Sequence, residues 1–346
     1  MNSKYRLTVG ILSYNRPKEL LRSIKSLLPL PDNVEVIICD DKSPKVDQIL
    51  YEIKDLIYLN NIKFISNKTN LGYDRNLFQL IELADADHVM LLGDDDYLEE
   101  GAIENVLNFI SNKTDFKCGF LHFKSIEKST AIISYSRYYS SNKFFNKNTL
   151  EKEGSFFYNS ILFSGLIFSK KAIEINQLDF SKYFKSIYIQ VAIFVKLNLI
   201  YGSYYIFGPG VIIGGDGESG FGFNEAAKNN DADLRDRSSV ISNLAYHKRL
   251  FDVVENLVTD TKIDIKISFY KEYKIRSIKA FYTARKFGRK YLISYWIELN
   301  KLSIPNIKSN YLIYFIIFCF PIWILKYPIL ILEKSVSFYR SKFVNK

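Results

Sequence analysis

The sequence predicts an α/β protein: a doubly wound, largely parallel sheet followed by a helical, basic C-terminal region. Three observations predict it. Four apolar runs of strand length, Leu7–Leu12, Val34–Cys39, Ile62–Ser66 and Val89–Leu92, alternate with stretches of helical periodicity. Their ends are polar or acidic, where open α/β sheets place their ligands. The charge is also segregated. Residues 261–346 carry 17 Lys and Arg against 4 Asp and Glu, a net +13, so the overall +10 leaves about −3 for residues 1–260.

Taken in order, the first strand leaves through Ser13-Tyr14-Asn15-Arg16-Pro17, and Pro17 suits the first turn of a helix. Leu20, Leu21, Ile24, Leu27 and Leu28 recur along that helix at its period. The second strand ends in Asp40 and Asp41, and a helix through Ile49, Ile53 and Leu56 leads to the third. A turn-rich loop, Asn67 to Tyr73, precedes Asp74-Arg75-Asn76 and a helix through Leu77, Leu80, Ile81 and Leu83. The fourth strand stops at Gly93 and three adjacent carboxylates, Asp94, Asp95 and Asp96. Clustered Asp oxygens suit a hard divalent cation, Mg2+ or Mn2+, which would hold a diphosphate. The alternative is a solvated acidic turn that caps the helix beginning near Leu98. Arg16 and Arg75 are candidates for phosphate oxygens.

Composition excludes several classes. Cys39, Cys118 and Cys319 are odd in number and lack metal-site spacing, which argues against a disulfide framework or a zinc site. The opening MNSKYRLTVG runs into a strand without a signal-peptide core, so the catalytic part is expected on the cytoplasmic side.

Together the motifs resemble the nucleotide-binding half of family 2 glycosyltransferases, which have the GT-A fold. The residues that carry the resemblance are Ser13-Tyr14-Asn15-Arg16-Pro17, Asp40-Asp41 with Ser43, Asn70-Leu71-Gly72 with Arg75-Asn76, and Asp94-Asp95-Asp96-Tyr97-Leu98 followed by Glu100-Gly101. It covers roughly residues 5–110. The resemblance implies that Ser13, Tyr14, Asn15, Arg16, Asp40, Asp41, Asn70, Gly72, Arg75, Asn76, Asp94 and Asp95 surround a nucleoside-diphosphate sugar. Asp41 would accept a base-edge N–H. The metal ligands would come from Asp94, Asp95 and Asp96. Gly93 stands where the family often has its first acid, so two registers are open, Asp94 with Asp96 or Asp95 with Asp96; Asp96 belongs to both.

The expected boundaries are a catalytic domain over 1–235, split into a nucleotide-sugar half (1–118) and an acceptor half (119–235), and a C-terminal region over 236–346. In the acceptor half, Gly119 to Ile133 reads as strand-rich, with His122 as a structural side chain. Phe156 to Phe168 resembles the family segment beneath the acceptor, and Ile187 to Leu199 reads as an amphipathic helix. The family's catalytic acid belongs near the start of that helix, where this chain has Gln190, which cannot act as a base. Asp179, and Asp216 or Glu218 in the Gly-rich run Gly214 to Gly222, are the candidates in its place.

The basic stretch Ile263 to Tyr295 has the composition of an amphipathic helix on an anionic bilayer surface. Residues 311–332 are apolar with one charge, Lys326, and are broken by Pro321 and Pro328. They read as a segment dipping into one leaflet, with a full span or packing on the soluble domain as alternatives. No nucleic-acid motif accompanies the basic tail. The expectation is a transferase at the cytoplasmic face of the membrane, peripheral or monotopic, that extends a glycan or polyprenyl-linked acceptor. A catalytically inactive sugar-nucleotide binder and a nucleotidyltransferase are the rivals, although GILSYNRP lacks the phosphate loop of the latter. Oligomeric state is not legible.

Overall fold

The structure is a computed structural model that describes residues 4–57, 61–126, 133–136, 139–214, 240–302, 304, 307–325 and 327–328. The N-terminal half follows the expected alternation: β1 (Leu7–Ser13), α1 (Pro17–Lys25), β2 (Val34–Asp40), α2 (Val46–Ile57), β3 (Ile62–Ser66), α3 (Tyr73–Leu83), β4 (His88–Gly93), β5 (Tyr97–Leu98) and α4 (Ala102–Asn112). The chain continues through β6 (Cys118–Phe120), β7 (Phe123–Ile126), β8 (Ile133–Ser136), β9 (Lys143–Phe145), α5 (Thr149–Lys152), α6 (Gly154–Phe157), β10 (Leu166–Ser169), α7 (Lys170–Ile175), α8 (Ile189–Tyr201), β11 (Ser203–Tyr205) and β12 (Val211–Ile212). Four C-terminal helices follow: α9 (Val240–Thr261), α10 (Lys266–Lys286), α11 (Arg289–Lys301) and α12 (Tyr311–Cys319).

The main sheet has the order β3-β2-β1-β4-β10-β6-β11-β9. Its first four strands are parallel, while β10 runs antiparallel to both β4 and β6. A smaller sheet, β5-β12-β7-β8, carries the chain back over the end of β4. Both faces of the main sheet are covered, as uninterrupted apolar strands require. Along β4, Met90 and Leu92 join a core with Leu20 and Ile24 of α1, whereas Val89 and Leu91 join one with Leu77 and Leu80 of α3. This two-residue alternation is the strand period expressed as two separate cores.

Two expectations change in the second half. Helix α8 is not amphipathic: every residue from Ile189 to Leu199 is buried. Its sequence is apolar almost all round, and it lies in the same core as α3, β6 and the C-terminal helices. Its one cation, Lys196, is matched by an ion pair to Asp260 of α9 at 2.9 Å and donates to the carbonyl of Asp179 at 2.8 Å.

The basic stretch forms two helices, α10 and α11. The apolar face of α10 does not meet solvent or lipid, because Phe269, Tyr273, Ile278 and Phe281 are buried in the core shared with Phe156 and Phe157. Phe269 meets Phe157 edge to face at 4.9 Å. Helix α12 then lies on α10, with Phe281 and Tyr314 stacked at 4.2 Å and Ser277 hydrogen-bonded to the Tyr314 hydroxyl at 2.7 Å. At nine residues, roughly 14 Å long, α12 is well short of a bilayer core. Among the described residues no helix is long and apolar enough to cross a membrane. The outer face of α12 remains open, with Leu312 71 % and Phe315 57 % exposed, and beyond the helix Trp323 is 73 % exposed.

The contact of α6 with α10 tolerates only glycine at one point. A Cβ at Gly154 would fall 1.9 Å from the Ser268 carbonyl oxygen. Gly154→Ala should therefore cost about 1–3 kcal/mol, read as a lower unfolding midpoint in urea; an unchanged midpoint would mean that the two helices are not in contact there.

Candidate active site

Because β1, β2, β3 and β4 are parallel, their carboxyl ends lie along one edge of the sheet. The register pairs Ser13 with Asp40, Asp40 with Ser66, and Leu12 with Gly93. The turns beyond these ends bring most of the expected donor-site residues together. Asn15 and Lys42 both take a positive φ of 61°, which turns the backbone sharply after β1 and β2. The Asn15 N–H donates to Ser43 Oγ at 2.7 Å, joining the two turns.

The two acids after β2 have different duties. Asp40 is fully buried and accepts from the Ser43 N–H at 2.9 Å, from the Ser43 hydroxyl and from the Ser66 hydroxyl at 3.1 Å. It latches the strand ends together. Asp41 holds the Asn67–Gly72 loop: its Oδ1 accepts from the Leu71 N–H at 2.7 Å and Asn67 Nδ2 at 3.1 Å, and its Oδ2 from the Gly72 N–H at 2.9 Å. Burial raises the Asp41 pKa, and the three hydrogen bonds oppose that rise. Asn70 closes the same loop by donating to the Asp41 carbonyl at 3.0 Å, and Asn76 donates to the Cys39 carbonyl at 3.0 Å.

The three carboxylates after β4 are shared out among separate elements. Asp94 is buried, accepts from the Tyr14 N–H at 3.2 Å and pairs with Arg16 at 2.9 Å. Burial pushes its carboxyl up to about 7; Arg16 pulls it down and Asp95 adds to the rise. Asp95 pairs with the same Arg16 nitrogen at 2.9 Å. Asp96 accepts from the Ser164 hydroxyl at 2.6 Å and from the Gly214 N–H at 3.2 Å. Ser164 Oγ in turn accepts the Gly93 N–H at 2.9 Å, so this buried hydroxyl bridges the end of β4 and its acid.

Among the described residues, no three His, Cys, Asp or Glu side chains converge as a metal site. Two carboxylates still fit the divalent cation that the family implies. A Cβ at Gly93 would fall 3.1 Å from Asp95 Oδ1, 3.2 Å from Asp96 Oδ2 and 3.2 Å from Ser164 Oγ, so three oxygens converge on one point beside the glycine. Mg2+ characteristically takes one or two carboxylates and completes its shell with water and substrate phosphates. Asp94 is buried with its oxygens on Arg16 and the Tyr14 N–H, and none of its atoms is among the three nearest that point.

Several expected residues are placed elsewhere. Arg16 serves the acids, with its guanidinium on Asp94 and Asp95. Arg75 is exposed and lies over the Phe184 ring at 5.3 Å. Asp179 is turned onto Ser181, whose N–H and hydroxyl it accepts at 2.8 and 3.0 Å. Its carbonyl meets Lys196, two turns along α8 from Gln190. Gln190 does sit on the first turn of α8, where it donates to the Ile161 carbonyl at 2.8 Å, and that turn holds no acid. Asp216 and Glu218 lie outside the described residues. His122 is buried and paired with Glu99 at 3.0 Å.

Three participants were not among the site residues expected from the sequence. Arg22 of α1 donates to the Asp95 carbonyl at 2.6 Å and covers the Tyr97 ring at 5.1 Å. Gly214 packs so closely on the acid turn that a Cβ there would fall 1.6 Å from the Asp95 carbonyl oxygen. Asp74, read only as a helix opening, reaches across to α8 and accepts the N–H groups of Ile187 and Ile189 at 2.7 and 3.1 Å. It satisfies donors at a helix start beside a strained turn, for Lys185 and Ile187 have φ of 72° and 62°.

Two polar atoms in the strand-end turns, Ser13 Oγ and Asn15 Oδ1, are buried with no protein hydrogen-bond partner among the described residues. Buried polar atoms of this kind call for a ligand or another explanation. Polar turns, an acid turn and unsatisfied polar atoms at the carboxyl edge of an α/β sheet mark the crevice where such sheets bind ligands.

Comparison with known proteins narrows the class. Residues 8–169 match the model of Glycosyl transferase family 2. The match takes in a little under half of the chain. The minor teichoic acid biosynthesis protein GgaB of Bacillus subtilis (strain 168) is 30 % identical over 115 residues, covering 32 % of this chain and 13 % of GgaB. The abequosyltransferase RfbV of Salmonella typhimurium is 28 % identical over 108 residues, covering 30 % of this chain and 32 % of RfbV. The chain thus spans a third or less of the length of these curated relatives. The crystal structure of S. aureus TarS 1-349 shares the fold with a TM-score of 0.50 at 16 % identity, covering 83 % of this chain and 82 % of that one.

Burial lifts the Asp74 carboxyl to about 6, against the pull of the Ile187 and Ile189 N–H groups and of Arg249. An acid whose pKa is raised on folding loses stability as pH rises from its unfolded value, about 4, to its folded one, at up to about 1.4 kcal/mol per pH unit. The gap in unfolding temperature between wild type and Asp74→Asn should therefore narrow from pH 4 to pH 6. A gap that widens over that range would contradict the assignment.

Proposed function

We propose that this protein is an inverting glycosyltransferase that moves a sugar from a nucleoside-diphosphate sugar to a lipid-linked glycan acceptor in surface-polysaccharide assembly. The observation that carries the donor reading is the pair of unsatisfied acceptors, Ser13 Oγ and Asn15 Oδ1, within strand-end turns that also hold Asp41 and the acid triplet. The printed functions of GgaB and RfbV, teichoic acid biosynthesis and abequosyl transfer, support the reaction class and the polysaccharide setting.

In this reading Asp41 recognises the base. Its Oδ2 takes one N–H, from Gly72, and keeps capacity for a base-edge donor. Arg16 holds Asp94 and Asp95 in place, and the Ser164 hydroxyl orients Asp96. A divalent cation, Mg2+ or Mn2+, held by Asp95 and Asp96 would supply charge neutralisation on the departing nucleoside diphosphate. The acceptor hydroxyl oxygen bonds to the anomeric carbon as the bond from that carbon to the diphosphate oxygen breaks. The hydroxyl proton passes to a carboxylate. We assign that role to Asp216, two residues past Gly214, with Glu218 as the alternative.

The acceptor end also supports a second reading. With Gln190 on the first turn of α8 and its Oε1 buried without a partner among the described residues, an inactive sugar-nucleotide-binding protein would show the same donor site. Turnover separates the two. Asp96→Asn should lower metal-dependent transfer roughly 100-fold or more with an unchanged circular dichroism spectrum. Full activity of Asp96→Asn in chelator would refute the metal role, and donor binding without turnover in the wild type would favour the inactive reading.

We further place the protein peripherally on the cytoplasmic face of the membrane, with residues 236–346 as the lipid-facing region. The open apolar face at Leu312, Phe315 and Trp323 and the net +13 of residues 261–346 support this. Leu312→Glu with Phe315→Glu should release the protein from vesicles without changing its unfolding temperature. Unchanged sedimentation would rule that face out as the anchor.

A further inference from the structure

A hollow lies away from the sheet edge, among the C-terminal helices. On α10 and just past its end, Arg276, Ala280, Thr283 and Phe287 follow one another at steps of three and four, so they share one face. Ala280, Thr283 and Ala284 are small, and opposite them stand Tyr291 and Tyr295 of α11, with His247 of α9 at the side. The result is a cavity of about 310 Å3.

Arg276, which is ion-paired with Glu272, and Lys279 line it. Arg276 is held in position: its Nε donates to Glu272 Oε1 at 2.7 Å and its guanidinium carbon sits 3.9 Å from the centre of the Tyr158 ring. That hydrogen bond uses one of five N–H donors, and a guanidinium oriented in advance is suited to phosphate oxygens. The rim is apolar on the other side. Phe287 lines it just past the end of α10 and is 56 % exposed. A small hollow with cations at one end and an open aromatic lip at the other matches an amphiphile with a phosphate head.

We propose that this cleft binds the phosphate head of a lipid, with the phosphate at Arg276 and Lys279 and the apolar chain leaving over Phe287. The proposal deepens the membrane-facing reading of the C-terminal region and rests on it, and is independent of the sugar-transfer reading. It adds a stereochemically defined site to what would otherwise be diffuse attraction between basic residues and an anionic surface.

The test is sedimentation of the full chain with phosphatidylcholine vesicles made with and without phosphatidylglycerol. Three variants are compared: Ala280→Phe, which fills the hollow without changing charge, Lys279→Glu, and Lys290→Glu as an exposed control of equal charge change. Wild type should bind vesicles containing phosphatidylglycerol more tightly than the others, and Ala280→Phe should lose at least about tenfold of that preference. Lys279→Glu should lose more than Lys290→Glu. Displacement by inorganic phosphate would show that the phosphate group alone suffices; binding that persists in phosphate would show that the lipid chain is also required. Ala280→Phe equal to wild type, together with Lys279→Glu equal to Lys290→Glu, would overturn the cleft while leaving membrane binding standing. If wild type binds neither vesicle, the membrane reading fails, and the cleft proposal with it; donor binding is unaffected by either result.

Discussion

Three adjacent carboxylates at the end of a buried strand are the constraint around which the rest of the molecule is arranged. Left to one another, Asp94, Asp95 and Asp96 would repel at close range in a poorly solvated turn. The protein answers by distributing them. Arg16, from the turn after β1, takes Asp94 and Asp95. The acceptor half takes Asp96, through the Ser164 hydroxyl and the Gly214 N–H. The acid turn thus ties the turn after β1 to Ser164 and Gly214 of the chain's later part. Asp94 is the buried member of the three, while Asp95 and Asp96 converge with Ser164 on the point beside Gly93.

The nucleotide half was legible because its signals are local. Apolar runs such as Val34–Cys39 and Val89–Leu92 bury both faces, and the acids and turn residues that follow them announce the strand ends within a few positions. Where these turns lie relative to one another follows from parallel pairing, which the alternation of strands and helices already implies. What could not be read was every contact made from a distance in sequence. Nothing in the helix containing Arg22 distinguishes it from an exposed cation until α1 is laid against the acid turn. Asp74 looks like an ordinary helix opening, and its bonds to Ile187 and Ile189 span more than a hundred residues of chain. Gly93, a departure from the family's acid in sequence terms, becomes intelligible only when Ser164 is seen in the space that a side chain would fill.

The C-terminal region shows how composition misleads when one face of a helix is hidden. A basic, aromatic-rich stretch reads as a membrane-surface helix, yet Phe269, Tyr273 and Phe281 of α10 are spent on the acceptor half. The aromatic content serves the core, while the charges occupy the face that core does not cover. Helix α12 divides its apolar surface in the same way, with Tyr314 and Ile317 inward and Leu312 and Phe315 outward. The polar knot of Lys196, Tyr183 and Asp260 fastens α9 to α8, and through Arg249 to the turn before it. The C-terminal helices therefore brace the acceptor end and are built on the same core as the sheet.

The central claim is that the turns after β1, β2 and β4, with the Asn67–Gly72 loop, form one donor pocket. Amide hydrogen exchange with and without a nucleoside-diphosphate sugar and Mn2+ tests it directly. The account predicts joint slowing of exchange at residues 13–16, 41–43, 70–72 and 94–96, dependent on both additions. Slowing confined to one of these segments, or found only outside the sheet edge, would contradict it.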